Sequence, residues 1–164
     1  MKKLLVLILF VSLAVSSFAQ RKGYVTLEEL KMLASSSPEK FKEFAKARGF
    51  KVIAESVEDA GVHYRYISQS YEGDGMQNHL TLVVMNEHWQ DNLSNYVSFA
   101  TTNKKYFYSL KNIFLKEGFI SKGVNMTFTQ YTKGNQVIET QDEYTEASYY
   151  QLIYYDPVSR SYPK

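Results

Sequence analysis

The sequence predicts an α+β domain, built from duplicated helix-strand-strand-strand (αβββ) units that form one antiparallel sheet with helices on one face. Three observations predict it. Helix-start signals stand at Thr26, Ser37-Pro38 and Asn103, each ahead of apolar residues spaced for one helical face. After Gly49-Phe50, and again after Gly118-Phe119, the apolar period falls from 3.6 to 2. The chain has no cysteine, so burial alone must hold its core together.

Taken in order, Met1 to Ala19 has the form of a cleavable secretory signal. Lys2 and Lys3 give it a positive start, Leu4 to Val15 an apolar core, and Ser17-Phe18-Ala19 the small residues of a cleavage site, so the mature chain is expected to begin at Gln20. A helix over that core would rise about 18 Å, short of the roughly 30 Å of a bilayer interior. No membrane insertion is expected after its removal. The short Met-Lys-Lys start is bacterial in character, and the expected destination is the periplasm or the exterior.

Thr26-Leu27-Glu28-Glu29 is a capping box that opens a helix over Leu27 to Ala34. Ser37 caps a second helix with Pro38 at its first position; Phe41, Phe44 and Ala45 form its stripe, and Gly49 stops it. Strands are then expected over Phe50 to Glu58, Gly61 to Ser70, Asn78 to Asn86 and Asn95 to Thr101, with turns at Glu58–Gly61 and Glu72–Gly75 and a longer connection over Glu87 to Ser94. Asn103 caps a third helix over Lys104 to Glu117, whose Phe107, Leu110, Ile113 and Phe114 fall at i, i+3, i+6 and i+7, and Gly118 closes it. Val124 to Thr132, Gln136 to Glu143 and Ser148 to Asp156 supply the last strands, with a turn at Lys133-Gly134-Asn135 and a polar tail over 157–164.

Superposing Gly49-Phe50 on Gly118-Phe119 places Phe41 over Leu110, Phe44 over Ile113 and Ala45 over Phe114. The strands that follow then correspond in order, giving repeats at about 38–101 and 103–156 and six or so strands in all. Coincidence between two amphipathic helices that both end in glycine is the alternative. This tandem arrangement in a small exported bacterial protein resembles the beta-lactamase inhibitory protein fold, whose concave sheet grips a protein partner. The resemblance lies in element order over Pro38 to Pro157, with no shared motif, and it departs in the disulfides that family carries. No individual residue carries over.

Composition narrows the function. The whole chain has 19 basic and 17 acidic residues, and loss of Lys2 and Lys3 brings the two into balance. Nucleic acid requires a concentrated basic face, and none is present, so none is expected as a partner. Without cysteine, thiol catalysis and cysteine-ligated metal are excluded. His63, His79 and His88 show no metal-ligand spacing, and no metal or other cofactor is expected. No catalytic residue is nominated: no GxSxG elbow occurs, and Glu72-Gly73-Asp74-Gly75 lacks a calcium loop's ligand ladder and reads as a tight turn. Asn92-Leu93-Ser94 and Asn125-Met126-Thr127 fit the glycosylation pattern, which a bacterial chain has no general use for.

The aromatic residues carry the candidate binding site. The chain holds 14 tyrosines and one tryptophan. Tyr149, Tyr150, Tyr154 and Tyr155 alternate across the final strand, so some rings pack under the helices and others stand over the open sheet. Cross-strand pairing that merely stabilises the sheet would use the same residues. Trp89 lies in the polar connection before the fourth strand, either folded over the core's edge or offered to a partner. Tyr71, Trp89, Tyr149 and Tyr155 are thus the expected binding residues. The expected function is that of a non-catalytic binding or inhibitor-like protein with a protein partner. A carbohydrate or small-ligand binder and a small secreted hydrolase are the alternatives.

Overall fold

The computed structural model describes residues 21–59, 63–85, 95–125, 127–142 and 149–157; residues 1–20 and most of the polar tail lie outside them. Three helices and eight strands follow in the order α1 (Leu27–Ala34), α2 (Pro38–Ala47), β1 (Lys51–Asp59), β2 (His63–Gly73), β3 (Met76–Met85), β4 (Tyr96–Thr101), α3 (Lys104–Lys116), β5 (Ile120–Asn125), β6 (Phe128–Lys133), β7 (Gln136–Gln141) and β8 (Tyr150–Tyr155). The fold is α+β, as predicted.

The caps form where the sequence places them. Thr26 Oγ1 accepts from the Glu29 amide at 3.2 Å, and Glu29 Oε2 accepts from the Thr26 amide at 2.8 Å. The other oxygen of Glu29 takes Arg48 from the end of α2, tying the first two helices together. Ser37 and Asn103 cap α2 and α3 through the amides of Lys40 and Tyr106. At the far ends Gly49 and Gly118 take φ of +79° and +94°. These left-handed turns let Phe50 N bond Ala45 O at 2.9 Å and Phe119 N bond Phe114 O at 3.2 Å, so both helices finish on the same six-residue closure.

The eight strands make one antiparallel sheet in the order β1-β2-β3-β4-β8-β7-β6-β5. The order reads the same inward from either edge, with β4 and β8 meeting at the centre. Two expectations are corrected. The sheet has eight strands where six or so were expected, and α2 and α3 are each followed by four strands instead of three.

The missed strand is β5. Alternation of Val124, Met126 and Phe128 suggested one continuous strand, but the chain turns back there and Asn125 pairs with Phe128. An edge strand has one neighbour only, and β5 exposes Ile120 and Val124 to 66% and 71%, so its apolar residues do not alternate with a buried face. The Glu72–Gly75 turn is also shorter than expected. Glu72 and Gly73 stay in β2, opposite Gln77 and Met76, and Asp74-Gly75 alone turns the chain with both φ positive, the hairpin geometry that Asp-Gly favours.

The edge strands share a second feature. Register against the neighbour shifts between Val52 and Ala54 in β1 and between Ser121 and Gly123 in β5. Ile53 and Lys122 are the extra residues, each standing four positions after its helix-closing glycine.

All three helices pack on one face of the sheet. Leu27, Leu30, Phe41, Phe107, Leu110 and Phe114 join Ile67, Leu80, Leu82, Phe99, Ile138 and Leu152 in a single core. The segment ahead of α1 is held on that face too. Tyr106 accepts from Val25 N and donates to Val25 O, and burial pushes its phenol pKa well up, keeping the donor protonated. Asn78 Nδ2 donates to Gly23 O at 2.6 Å. The opposite face carries none of the described helices, and it is there that candidate ligand contacts collect.

Candidate functional site

Side chains alternate across each strand, so register decides what the helix-free face displays. One row across it reads Ser70, His79, Ala100, Gln151 and Gln141, from β2 to β7. The next reads Ser68, Thr81, Ser98, Ile153, Glu139 and Gln130. A third includes Val83, Tyr96, Tyr155, Val137 and Thr132. Hydroxyls and amides dominate, and they bond to one another. Thr81 donates to Ser68, Gln151 Nε2 to Ser98 Oγ at 2.6 Å, and Gln130 Nε2 to Glu139.

Of the four binding residues expected, the structure brings two to this face. Tyr155 donates to Glu139 Oε2 at 2.7 Å and lies against Tyr96, ring centroids 5.5 Å apart. Tyr149 stands at the β3 end, edge-on to His79. Their neighbours Tyr150 and Tyr154 point the other way, Tyr150 against Phe107 and Tyr154 into the core at 3% exposure. Tyr71 is also on the helix side. It packs near Phe50, and a Cβ on Gly23 or Gly73 would collide with its ring or hydroxyl. It therefore belongs to the scaffold beneath the N-terminal segment and not to the helix-free face. Trp89 and His88 lie outside the described residues.

Tyr149 ends a hydrogen-bonded chain whose polarity can be assigned atom by atom. The Glu72 carboxylate can only accept, so Gln77 turns its Nε2 toward it, at 2.9 Å. That leaves Gln77 Oε1 as acceptor for the Tyr149 hydroxyl, at 2.7 Å. The single phenolic proton is then used, and the 3.1 Å contact between Tyr149 Oη and His79 Nε2 requires the proton to sit on Nε2. Burial holds the His79 pKa below the usual imidazole value, with the negative charge of Glu72 pulling weakly the other way. The neutral ring has Nδ1 as a bare acceptor.

Beside this chain lies an open pocket of about 530 Å³, lined by His79, Ala100, Thr127, Phe128, Gln141, Tyr149 and Gln151. Among the described residues its lining has the rings of Phe128 and Tyr149, the imidazole of His79, two carboxamides and no Asp, Glu, Lys or Arg. Gln141 is 4% exposed, and its amide has no partner among the described residues. Sequence reasoning missed Gln141, Gln151 and Phe128. Single Gln and Phe residues carry no motif, and only register brings them together.

Among the described residues no three His, Asp or Glu side chains gather to hold a metal, and no helix is long and apolar enough to cross a membrane. No known protein family, curated protein or solved structure matches the chain.

Proposed function

We propose that this is an exported, non-catalytic binding protein whose helix-free sheet face is its recognition surface, and that the face holds a protein partner. The observation that carries the reading is the division of tyrosines in β8. Tyr150 and Tyr154 support the helices, while Tyr149 and Tyr155 stand on a broad surface of hydroxyls and amides, with Glu139 beside Tyr155, that none of the described helices covers. Rings with few rotatable bonds and a polar tip suit contact with a protein, where they become anchors at low entropic cost. We further propose that the two halves descend from an internal duplication, supported by the shared helix closure and edge bulge.

Capture from envelope extract, identified by mass spectrometry and repeated with Tyr155→Ala, tests the function. The variant should lose the captured protein, with truncation of an anchor costing about 2 kcal/mol or more in binding, while its melting midpoint stays close to wild type. Tyr154→Ala is the control and should melt early, since it removes a buried ring. Capture unchanged in Tyr155→Ala would place the interface elsewhere.

A further inference from the structure

We infer that the pocket between Tyr149 and Phe128 is a binding site for a neutral, hydroxyl-bearing ring, the chemistry of an uncharged monosaccharide unit. The inference rests on the helix-free face being a recognition surface, and it names a small-ligand class for one end of that face.

Four features of the pocket converge on this class. Its volume of about 530 Å³ lies within the range of small-molecule sites and accommodates a six-membered ring with its substituents. Phe128 and Tyr149 supply aromatic surface, which meets the C–H face of a sugar without asking for charge. The third feature is Gln141, which lines the pocket at 4% exposure and makes no hydrogen bond among the described residues. A carboxamide offers both donor and acceptor, the pairing a hydroxyl completes in either sense. The fourth is the direction of the proton chain. With Nε2–H of His79 committed to Tyr149 and one N–H of Gln151 to Ser98, the groups left over are the acceptors His79 Nδ1 and Gln151 Oε1 and the second N–H of Gln151. A hydroxyl, donor and acceptor at once, suits them.

Charge argues for the same class. None of the described residues that line the pocket is ionised, so among them a carboxylate or ammonium on the ligand would be desolvated without compensation. Neutral sugars should therefore be preferred over acidic and basic ones of the same ring.

The test is saturation-transfer NMR on the mature protein with methyl glycosides of glucose, galactose and N-acetylglucosamine, alongside glucuronate and glucosamine. At least one neutral glycoside should receive saturation, and the charged sugars should bind about tenfold more weakly or not at all. Gln141→Leu keeps the size and removes the amide. It should weaken the neutral ligand by about tenfold, one lost hydrogen-bonding group. Ala100→Phe, which fills the pocket from β4, should abolish transfer while the amide spectrum stays dispersed. No transfer to any neutral glycoside from folded wild-type protein overturns the inference, as does undiminished transfer in a folded Ala100→Phe or equal binding of the charged sugars. An envelope capture that returns no protein, with saturation transfer intact, overturns the protein-partner reading and leaves this one standing.

Discussion

The ring of Tyr71 occupies the space that a side chain on Gly23 would need, so the segment leading into α1 can lie against β2 only because residue 23 is glycine. Gly23 also has φ +76°, which an L side chain adopts with strain. Gly75 has a similar φ of +71° but nothing within 4 Å of its Cβ position. The two sites separate backbone strain from collision. Gly75→Ala should cost about 1–2 kcal/mol by urea denaturation, the price of the left-handed conformation. Gly23→Ala should cost about 1–3 kcal/mol more, the overpacking against the ring. Tyr71→Ala should lower stability and leave partner capture unaffected.

Acid should weaken the fold through His79. Its folded pKa is lowered by burial, whereas an unfolded chain takes up the proton near pH 6.5. The stability this contributes is whole above about pH 6.5 and is lost as the pH falls through the lowered folded value. Urea midpoints of wild type and His79→Gln, compared at about pH 7.5 and about pH 5, check the sign. Wild type should lose more stability on acidification than the variant, which has no imidazole at that position to protonate.

The matched helix endings make a paired prediction. Gly49→Ala and Gly118→Ala each force a methyl group onto a left-handed residue, and neither added Cβ meets an atom closer than 3.5 Å. Each should cost about 1 kcal/mol, and because the two glycines share no neighbour within 4 Å of their Cβ positions the double variant should cost the sum. Thermal or chemical denaturation of the three variants measures this. Unequal costs would show that the two closures are held differently by their halves.

Processing is checked by intact mass. The exported protein should begin at Gln20, as free glutamine or pyroglutamate, with Met1 to Ala19 removed. Retention of that segment in the mature form contradicts the assignment.

Local signals in the sequence were read well because their causes are local. Thr26 and Glu29 satisfy each other's amides three residues apart, and Gly118 ends α3 by its own φ, so neither depends on distant packing. β5 was missed because edge burial depends on how many neighbours a strand has, which no periodicity within Ile120 to Asn125 records. The binding residues divide in the same way. That Tyr149 and Tyr150 face opposite sides follows from strand geometry alone; which side the helices take is set by the whole core. Tyr71, expected among the binding residues, lies within β2, which continues to Gly73 and carries the ring to the helix face. The pocket was invisible for a plainer reason. Its lining comes from β3, β4, β7, β8 and the start of β6, and only the register between those strands makes neighbours of His79, Gln141 and Phe128.

The extra residues Ile53 and Lys122 bear on whether the molecule can remain solitary. Both outer strands of this sheet carry bare apolar side chains, Val52 and Ile53 on one and Ile120 and Val124 on the other. A straight border of that composition is a template on which another chain can lay itself down, and the sheet could then grow outward without limit. Each bulge breaks the regular spacing of outward amides and carbonyls and adds local twist, so an approaching strand finds no long run to match. Because the interruption stands on both borders, neither can seed a stack that the other would continue. A chain lacking either Ile53 or Lys122 would present an unbroken border on that side.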